Sequence, residues 1–297
     1  MQALILEQQD GKTLSSVQTI DASQLPQGDV TVDIHWSSLN YKDALAITGK
    51  GKIIRNFPMI PGIDFAGFVH SSEDPRFHAG QQVLLTGWGV GENHWGGLAE
   101  RARVKGDWLV AMPQGLDGRK AMVIGTAGFT AMLCVMALED AGVSPEDGEV
   151  VVTGASGGVG STAVALLHHL GYKVAAVSGR ESQLWAGAVD TVGDKVLAKV
   201  LAQMNYGGCV AACGLAGGFA LPTTVMPFIL RNVRLQGVDS VMTPAARRAE
   251  AWQRLVRDLP ESFYAQSATE ISLAEAPEFA DKIMTNKIQG RTLVKIA

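Results

Sequence analysis

Four glycines stand close together between an apolar stretch and a stretch rich in alanine and leucine. They are Gly154, Gly157, Gly158 and Gly160, in the segment VVVTGASGGVGSTAVALL. A diphosphate binds main-chain N–H groups at the start of a helix, and the chain can approach it closely only where Cβ atoms are absent. The segment therefore indicates a phosphate-binding turn for a dinucleotide. Its spacing differs from the more common G-x-G-x-x-G, so a glycine-rich turn without a ligand is the alternative.

The residues after the next apolar stretch bear on which dinucleotide binds. Ser178, Gly179 and Arg180 follow the stretch KVAAV. NAD enzymes carry an acidic residue at this place, which accepts a hydrogen bond from the ribose 2′-OH and would repel a 2′-phosphate. A hydroxyl and a guanidinium suit a phosphate monoester instead, because arginine can bind it through two parallel hydrogen bonds. We therefore predict NADPH as the cofactor; the alternative is that Arg180 is an ordinary solvated cation.

The elements that must position these residues change in character along the chain. Residues 1–115 alternate apolar and polar positions in short bursts, which is typical of short antiparallel strands in a small barrel or sandwich. Residues 118–142 have the pattern of one or two helices. From Glu149 onward the order is strand, glycine-rich turn, helix and strand, which indicates a parallel βαβ unit. The fold class is therefore predicted to be α/β, with a β-rich N-terminal part.

One connection in the parallel part is too short. Seven residues, 181–187, separate the strand that ends near Arg180 from the one that starts near Ala188. A crossover between parallel neighbours needs about ten to twelve residues or more. Either these strands are not neighbours, or a helix–strand segment is missing from the chain after Ser182. We favour the second explanation, and it predicts a chain break near Ser182 and Gln183.

Composition limits the classes of function. The chain has 297 residues, enough for two domains, with 47% hydrophobic and 18% charged residues, a balance typical of globular proteins. Its net charge of −4 gives no basic field for nucleic acid or an anionic membrane. The N-terminus has no basic start followed by a long apolar run, and the three cysteines form no C-x-x-C. We expect a soluble, cytoplasmic protein with no nucleic-acid or membrane partner.

Several ordered motifs carry a resemblance to a known family. They are NYKDALAITGKG at 40–51, PGIDFAG at 61–67, WGGLAE at 95–100, the glycine segment at 153–160, SGRES at 178–182 and IQGRTLV at 288–294. With these motifs the chain resembles medium-chain dehydrogenase/reductases, and within them the zinc-free quinone-oxidoreductase-like branch that includes bacterial acryloyl-CoA reductases. The stretch after Ser182 departs from the family pattern, which has a further helix and strand there.

The resemblance implies a fold and a set of cofactor contacts. It implies a GroES-like catalytic domain over residues 1–120, a Rossmann domain with a doubly wound parallel sheet over 121–245, and a segment over 246–297 that returns to the first domain. It also implies a homodimer. By position, the residues that line NADPH would be Tyr41, Ser156, Gly157, Gly158, Val159, Ser178, Gly179, Arg180, Leu215, Ser240 and Asn286.

No metal is expected in this site. A catalytic zinc needs about three ligands from Cys, His or acidic side chains in one place. Zinc-dependent relatives would carry Cys or His near Asn40, Ile63 and Thr126, and none of these positions is Cys or His here. The sequence also lacks the four-cysteine lobe of such relatives.

Without a metal, hydride addition to an activated alkene is easier than reduction of a simple ketone. The protein must then orient the reactants, donate hydrogen bonds to the developing enolate and supply a proton. Polar candidates are Asn40, Lys42 and the three catalytic candidates Tyr41, Asp43 and Asp64. Tyr41 is the first choice as proton donor, with a packing role as the alternative. Asp43 could instead cap a helix or bind Lys42, and Asp64 could fix a turn.

Two further groups have both a functional and a structural interpretation. Lys50, Lys52 and Arg55 could meet the phosphates of coenzyme A, although a solvated surface run is the simpler interpretation. Trp88, His94 and Trp95 could form a wall of the substrate pocket, or pack at the base of a loop.

Taken together, the resemblance and the residues predict an NADPH-dependent reductase that converts acryloyl-CoA, a small enoyl-CoA, to propanoyl-CoA. The alternatives are an NADPH:quinone oxidoreductase, which would use the same hydride donor, and a crystallin-like protein that binds NADPH with little catalysis.

Overall fold

The computed structural model describes residues 1–176, 184–265 and 268–297, and these form two compact units. The first unit comprises Met1–Thr126 and Tyr264–Ala297, and the second comprises Ala127–Phe263. Each unit has a sheet of its own, antiparallel for the most part in the first and parallel in the second. The chain thus has the predicted α/β class, with a β-rich N-terminal part.

In chain order, the strands are β1 (Gln2–Gln9), β2 (Lys12–Thr19), β3 (Val30–Leu39), β4 (Asp64–Ser72), β5 (Gln82–Thr86), β6 (Arg101–Val104), β7 (Val110–Ala111), β8 (Glu149–Val152), β9 (Lys173–Ala176), β10 (Trp185–Asp190), β11 (Met204–Ala212), β12 (Arg234–Gly237), β13 (Ala268–Ser272) and β14 (Arg291–Lys295). The helices are α1 (Tyr41–Thr48), α2 (Gly118–Asp140), α3 (Gly158–His169), α4 (Asp194–Ala202), α5 (Met226–Arg231), α6 (Ala245–Asp258), α7 (Glu261–Tyr264) and α8 (Ala276–Met284).

The first unit contains a hairpin, β1–β2, and a sheet in the order β13–β14–β3–β4–β5–β7, with β6 also paired to β3. Strand β3 buries Val30, Val32 and Ile34 on alternate positions, as a strand with one buried face does. The C-terminal strand β14 pairs antiparallel with β3 and sets Leu293 opposite Ser38. The last residues of the chain thereby lie beside the segment that leads into α1.

The second unit is built on a parallel sheet in the order β12–β11–β10–β8–β9. Helix α4 packs Leu197, Val200 and Leu201, at helical spacing, into the same core as Trp185 and Val210 of this sheet. The first strand, β8, pairs with β9 on one side and with β10 on the other. Ligands of open α/β sheets bind outside the carboxyl ends of the strands at such a point of reversal, and the glycine segment follows β8 there.

The short connection after β9 now has a topological description. Strands β9 and β10 are both parallel to β8 and lie on opposite sides of it, so they are not neighbours. The predicted chain break near Ser182 and Gln183 lies outside the described residues and remains a prediction.

The boundaries of the units differ from the predicted ones. Helix α6 lies in the second unit, whereas residues 246–297 as a whole were expected to return to the first. The physical reason is the core of the second unit, where Trp252 of α6 is fully buried and stacks on Phe129 of α2 with ring centroids 6.0 Å apart. The chain re-enters the first unit only at Tyr264.

Helix α2 is one helix by hydrogen bonding, but it breaks at Gly125, where φ is 50°. By length and apolar composition alone this helix could cross a membrane. Most of its apolar stretch, 89%, is buried inside the protein, as is usual for a core helix of a folded domain, so the composition is weak evidence for a membrane span.

Candidate functional site

The glycine segment forms a tight turn between β8 and α3. Gly154 has a φ of 59°, and its carbonyl oxygen accepts a hydrogen bond from the N–H of Gly157 at 2.9 Å. A Cβ atom on Gly160 would overlap this same carbonyl oxygen, so the start of α3 can lie against the turn only with glycine there. The turn thus presents the N-terminal end of a helix, whose first N–H groups have no partner within the helix.

Gly157 has more room for a Cβ atom than Gly160 has. It precedes α3 with φ −77° and ψ 170°, a conformation that any residue adopts. A Cβ atom on Gly157 would lie 3.3 Å from the Gly154 oxygen, a tight but adjustable contact. Ser156 and Gly157 are both exposed. The bare backbone at Gly157 therefore leaves room toward solvent at the helix start, which fits a diphosphate.

The other residues expected around NADPH are placed as follows. Leu215 lies in the segment after β11 and is 65% exposed, and Ser240 lies after β12, where its carbonyl oxygen accepts a hydrogen bond from Arg248. In the first unit, Asn286 is exposed after α8 in a left-handed conformation. Ser178, Gly179 and Arg180 lie outside the described residues.

In the first unit, the carboxylate of Asp64 is the centre of a buried polar cluster. It accepts hydrogen bonds from the Ser38 hydroxyl and the Asn40 amide, each at 2.9 Å, and from the N–H of Thr126 at 2.8 Å. The hydroxyl of Thr126 donates to its other oxygen. Asp64 has no exposed surface, so all its bonds are internal. Buried carboxylates are stable only when they are hydrogen-bonded in this way.

Arg291 supplies the positive charge of the cluster, and it was missed in the sequence analysis. Its guanidinium donates to the Asn40 side-chain oxygen at 3.1 Å, to the Ser38 hydroxyl at 3.2 Å and to the carbonyl oxygen of Val123 at 3.1 Å. One Nη lies 3.9 Å from the Asp64 carboxylate. Burial lowers the pKa of Arg291, and the neighbouring carboxylates oppose that shift. Its only signal was its place in the motif IQGRTLV.

The break of α2 at Gly125 makes room for this cluster. A Cβ atom on Gly125 would overlap the guanidinium of Arg291 and would lie 2.7 Å from a carboxylate oxygen of Asp64. The positive φ at this residue also turns the N–H of Thr126 toward Asp64. The glycine is therefore required by both the backbone conformation and the packing.

Asp43 caps the helix that begins with Tyr41. Its side chain accepts from the N–H of Asn40 at 2.8 Å and from the N–H of Ile63 at 3.0 Å. Burial raises the pKa of Asp43 to about 6, because the loss of hydration outweighs these hydrogen bonds and the Asp64 carboxylate is close. Tyr41 itself is 55% exposed at the first position of α1. The cluster thus supports the helix end that carries Tyr41.

The raised pKa of Asp43 predicts a pH dependence of stability. The folded state binds this proton more tightly than the unfolded chain, whose pKa is near 3.8. The free energy of unfolding should therefore fall by about 2 kcal/mol as pH rises from about 4 to 6, because the slope approaches about 1.4 kcal/mol per pH unit only between the two pKa values. Urea unfolding of the wild type and Asp43→Asn across this range measures it. Asp43→Asn should lose this dependence on pH. The control Asp281→Asn, which alters an exposed aspartate, should keep it. Equal slopes for Asp43→Asn and the wild type would refute the prediction.

Several of the remaining candidates have structural partners. Lys42 pairs with Glu92 at 2.5 Å rather than with Asp43. His94 binds the carbonyl oxygen of Arg103 at 2.7 Å, and burial lowers its pKa; Trp95 donates to the carbonyl oxygen of Pro58. Lys50, Lys52 and Arg55 are exposed, as in the surface interpretation, and Trp88 is partly buried against a core cluster.

The positions where zinc-dependent relatives would carry ligands all belong to this polar cluster. Asn40 and Thr126 donate to Asp64, and the N–H of Ile63 donates to Asp43. Over residues 1–176, 184–265 and 268–297, no group of three or more His, Cys, Asp or Glu side chains is arranged to hold a metal ion. Hydrogen bonds to the carboxyls of Asp43 and Asp64 therefore take the place of metal ligation at these three positions.

Comparison with known proteins gives both family and fold. The family model of the alcohol dehydrogenase GroES-like domain matches residues 26–114. The chain is 80% identical over 323 aligned positions to a probable acrylyl-CoA reductase of Escherichia coli (strain K12), with 100% of each chain covered. It is 49% identical to an acrylyl-CoA reductase of Ruegeria pomeroyi, covering 98% of this chain and 97% of the relative.

A solved structure is similar over the whole chain. The yhdH oxidoreductase from Salmonella enterica, in complex with NADP, is 80% identical, and the match has a TM-score of 0.97 with 100% of each chain covered. These matches confirm the predicted GroES-like and Rossmann architecture.

Proposed function

We propose that this chain, which belongs to the quinone-oxidoreductase-like branch of the medium-chain dehydrogenase/reductase superfamily, is an NADPH-dependent reductase that converts acryloyl-CoA to propanoyl-CoA. The observation that carries the proposal is the 80% identity, over the full length of both chains, to a probable acrylyl-CoA reductase. The glycine turn before α3 supports it from the chemistry of the residues. The Salmonella relative with NADP bound supports the choice of cofactor.

The residues proposed to hold NADPH include the glycine turn before α3. Ser156, Gly157, Gly158 and Val159 would bind the diphosphate through backbone N–H groups, as the exposed helix start favours. The full proposed set is Tyr41, Ser156, Gly157, Gly158, Val159, Ser178, Gly179, Arg180, Leu215, Ser240 and Asn286. When bound, NADPH supplies the hydride that adds to the β-carbon of the unsaturated thioester.

The protein's own part in the reaction is orientation and proton supply. We propose that the Tyr41 hydroxyl, on an exposed position, donates a hydrogen bond to the substrate and delivers the proton. Asp43 and Asp64 are buried with internal hydrogen bonds, so their proposed role is to hold Asn40 and the start of α1, which carries Tyr41. They were first considered as catalytic groups.

Replacing Tyr41 with phenylalanine should lower kcat for acryloyl-CoA by about tenfold to a hundredfold, in the range for loss of a proton donor or oxyanion donor. The KM for NADPH should change little, because the ring remains. Steady-state kinetics measures both. The matched control is Tyr206→Phe, which alters an exposed tyrosine of the second unit. A kcat equal to the wild-type value would leave Tyr41 with a packing role only.

Replacing Arg180 with alanine should weaken NADPH binding by about 1.5–3 kcal/mol, the range for a hydrogen bond to a charged group. NADH lacks the 2′-phosphate and serves as the internal control, since its affinity should hardly change. Titration of protein fluorescence with each dinucleotide gives both dissociation constants. Equal losses for NADPH and NADH would show that Arg180 does not read the phosphate.

A substrate panel tests the proposed activity. Loss of absorbance of NADPH with acryloyl-CoA, and not with quinones, is the expected result. A second candidate, quinone reduction, is favoured by a quinone oxidoreductase of Sus scrofa that is 30% identical over 175 residues, 58% of this chain and 50% of the relative. Consumption of NADPH with quinones alone would establish that candidate instead. Tight NADPH binding without turnover of either substrate would favour a crystallin-like binding protein.

We also propose a homodimer in the cytoplasm. The second unit exposes apolar side chains, among them Phe219 at 94%, Ile229 at 70% and Leu230 at 62% exposure in the single chain. Exposed apolar groups of this kind suit a second copy of the chain. Sedimentation over a range of concentrations tests this, and a single monomeric species would refute it.

The proposed location in the cytoplasm fits the three free cysteines, because thiols stay reduced there. They are Cys134, Cys209 and Cys213.

We retain the proposal that a helix–strand segment is missing after Ser182. The alignment with the Escherichia coli relative spans 323 positions, 26 more than the 297 residues of this chain, which supports the proposal.

A further inference from the structure

Asp190, at the end of β10, is a fully buried carboxylate to which the proposed function assigns no role. One carboxylate oxygen accepts from the Thr153 hydroxyl at 2.7 Å. The other accepts from the N–H of Gly193 at 2.8 Å. Burial of a charged carboxylate is unfavourable unless its oxygens are hydrogen-bonded. Asp190 therefore links Thr153, which follows β8, to Gly193, which follows β10.

The first bond leads to the glycine turn. Thr153 is the residue immediately before Gly154, and its hydroxyl also accepts from the N–H of Thr191 at 3.0 Å. The hydroxyl of Thr191 in turn donates to the Thr153 carbonyl oxygen at 3.1 Å. Thr153, which leads into the turn, is therefore held through its hydroxyl by Asp190 and through its carbonyl oxygen by Thr191.

The second bond leads to the segment after β11, which contains Leu215. The carbonyl oxygen of Asp190 accepts from the N–H of Cys213 at 2.9 Å, and the carbonyl oxygen of Val192 accepts from the N–H of Gly217 at 2.7 Å. Gly193, whose N–H binds the Asp190 carboxylate, forms a bridge with Gly218. The backbone of residues 190–193 therefore also holds residues 213–218.

From this geometry we propose that Asp190 is a positioning residue that fixes the glycine turn at 154–157 and the segment 213–218 in one arrangement, and so sets the affinity for a nicotinamide dinucleotide. The affinity part rests on the proposed function. The fixing of the two segments does not depend on the proposed function, because it can be measured by hydrogen exchange without a cofactor.

Two substitutions at Asp190 separate the loss of its hydrogen bonds from the loss of its charge. Asp190→Ala removes both side-chain bonds. Asp190→Asn can keep both bonds. Its amide oxygen can accept from the N–H of Gly193, and its amide nitrogen can donate to the Thr153 hydroxyl, because a hydroxyl can accept as well as donate. Thr153→Val removes the bond from the Thr153 hydroxyl to Asp190, and with it the acceptor for the N–H of Thr191, but keeps the bond from Gly193 to Asp190. The matched control is Asp147→Ala, which removes a carboxylate bound to the N–H of Ser144, before β8.

Amide hydrogen exchange of the cofactor-free protein is the first measurement. Asp190→Ala should speed exchange by about tenfold or more in residues 154–157 and 213–218 together, the effect of losing a hydrogen bond to a charged group. Thr153→Val should speed it in 154–157 only. Asp190→Asn should stay within about threefold of the wild type in both segments. Faster exchange in only one segment after Asp190→Ala, or in neither, would overturn the proposal.

Titration with NADPH is the second measurement. Its dissociation constant should rise about tenfold or more in Asp190→Ala and return to within about threefold of wild type in Asp190→Asn, while Asp147→Ala leaves it unchanged. Wild-type affinity in Asp190→Ala would overturn the affinity part. If the wild type itself binds no NADPH, the proposed function and the affinity part fail, and the exchange result still decides the fixing of the segments.

Discussion

Replacing Asp64 with alanine is expected to lower the free energy of unfolding by about 3–5 kcal/mol, the cost of removing one partner of a buried charge pair. The variant leaves the buried guanidinium of Arg291 without the neighbouring carboxylate. It also removes the acceptor for the Ser38 hydroxyl, the Asn40 amide and the N–H of Thr126. Urea unfolding followed by circular dichroism measures the loss.

Two comparisons identify the source of this loss. Asp281→Ala alters an exposed aspartate of the same unit and should change stability by no more than about 0.5 kcal/mol. In a double-mutant cycle, Asp64→Ala with Arg291→Met should cost less than the two single changes added together, because the double variant leaves neither member of this pair as a buried charge without its partner. Additive losses, or a loss for Asp64→Ala as small as for Asp281→Ala, would contradict the role assigned to the pair.

Replacing Gly160 with alanine should raise the dissociation constant for NADPH at least about a hundredfold, or about 2.8 kcal/mol. The new Cβ atom would overlap the carbonyl oxygen of Gly154, so the turn and the start of α3 must move apart. That movement separates the N–H groups proposed to bind the diphosphate together. Isothermal titration with NADPH measures the affinity.

Gly157→Ala is the matched variant, with the same chemical change three residues earlier. Its backbone conformation suits alanine, and its Cβ contact of 3.3 Å requires only a small adjustment. We therefore expect its stability to stay within about 0.5 kcal/mol of the wild-type value, whereas Gly160→Ala is also destabilised. Unchanged NADPH affinity in Gly160→Ala would show that the ligand does not bind at this turn.

The elements around the glycine turn could be predicted from the sequence because their signals are local. An apolar run, four glycines and an Ala/Leu-rich run became β8, the turn and α3 in that order. The alternating pattern of the N-terminal part became antiparallel strands for the same reason, since alternation reports which face of a strand is buried. The motifs also led to the correct family.

The boundary between the units could not be predicted in the same way. Helix α6 is amphipathic, and such a pattern shows that one face is buried without showing against which partner. The aromatic contact of Trp252 with Phe129 places it in the second unit.

By itself, the sequence determined the class of fold, the order of its elements, the glycine turn and the family, because each depends on residues close together in the chain or on motifs in a set order. Only the tertiary structure decided which polar side chains act together. Asp64 and Arg291 lie far apart in the sequence, and pairing of β14 with β3 brings them into one buried cluster. Asp190 and Thr153 likewise meet because β10 pairs with β8. Such contacts depend on strand pairing between distant segments, which leaves no local pattern in the chain.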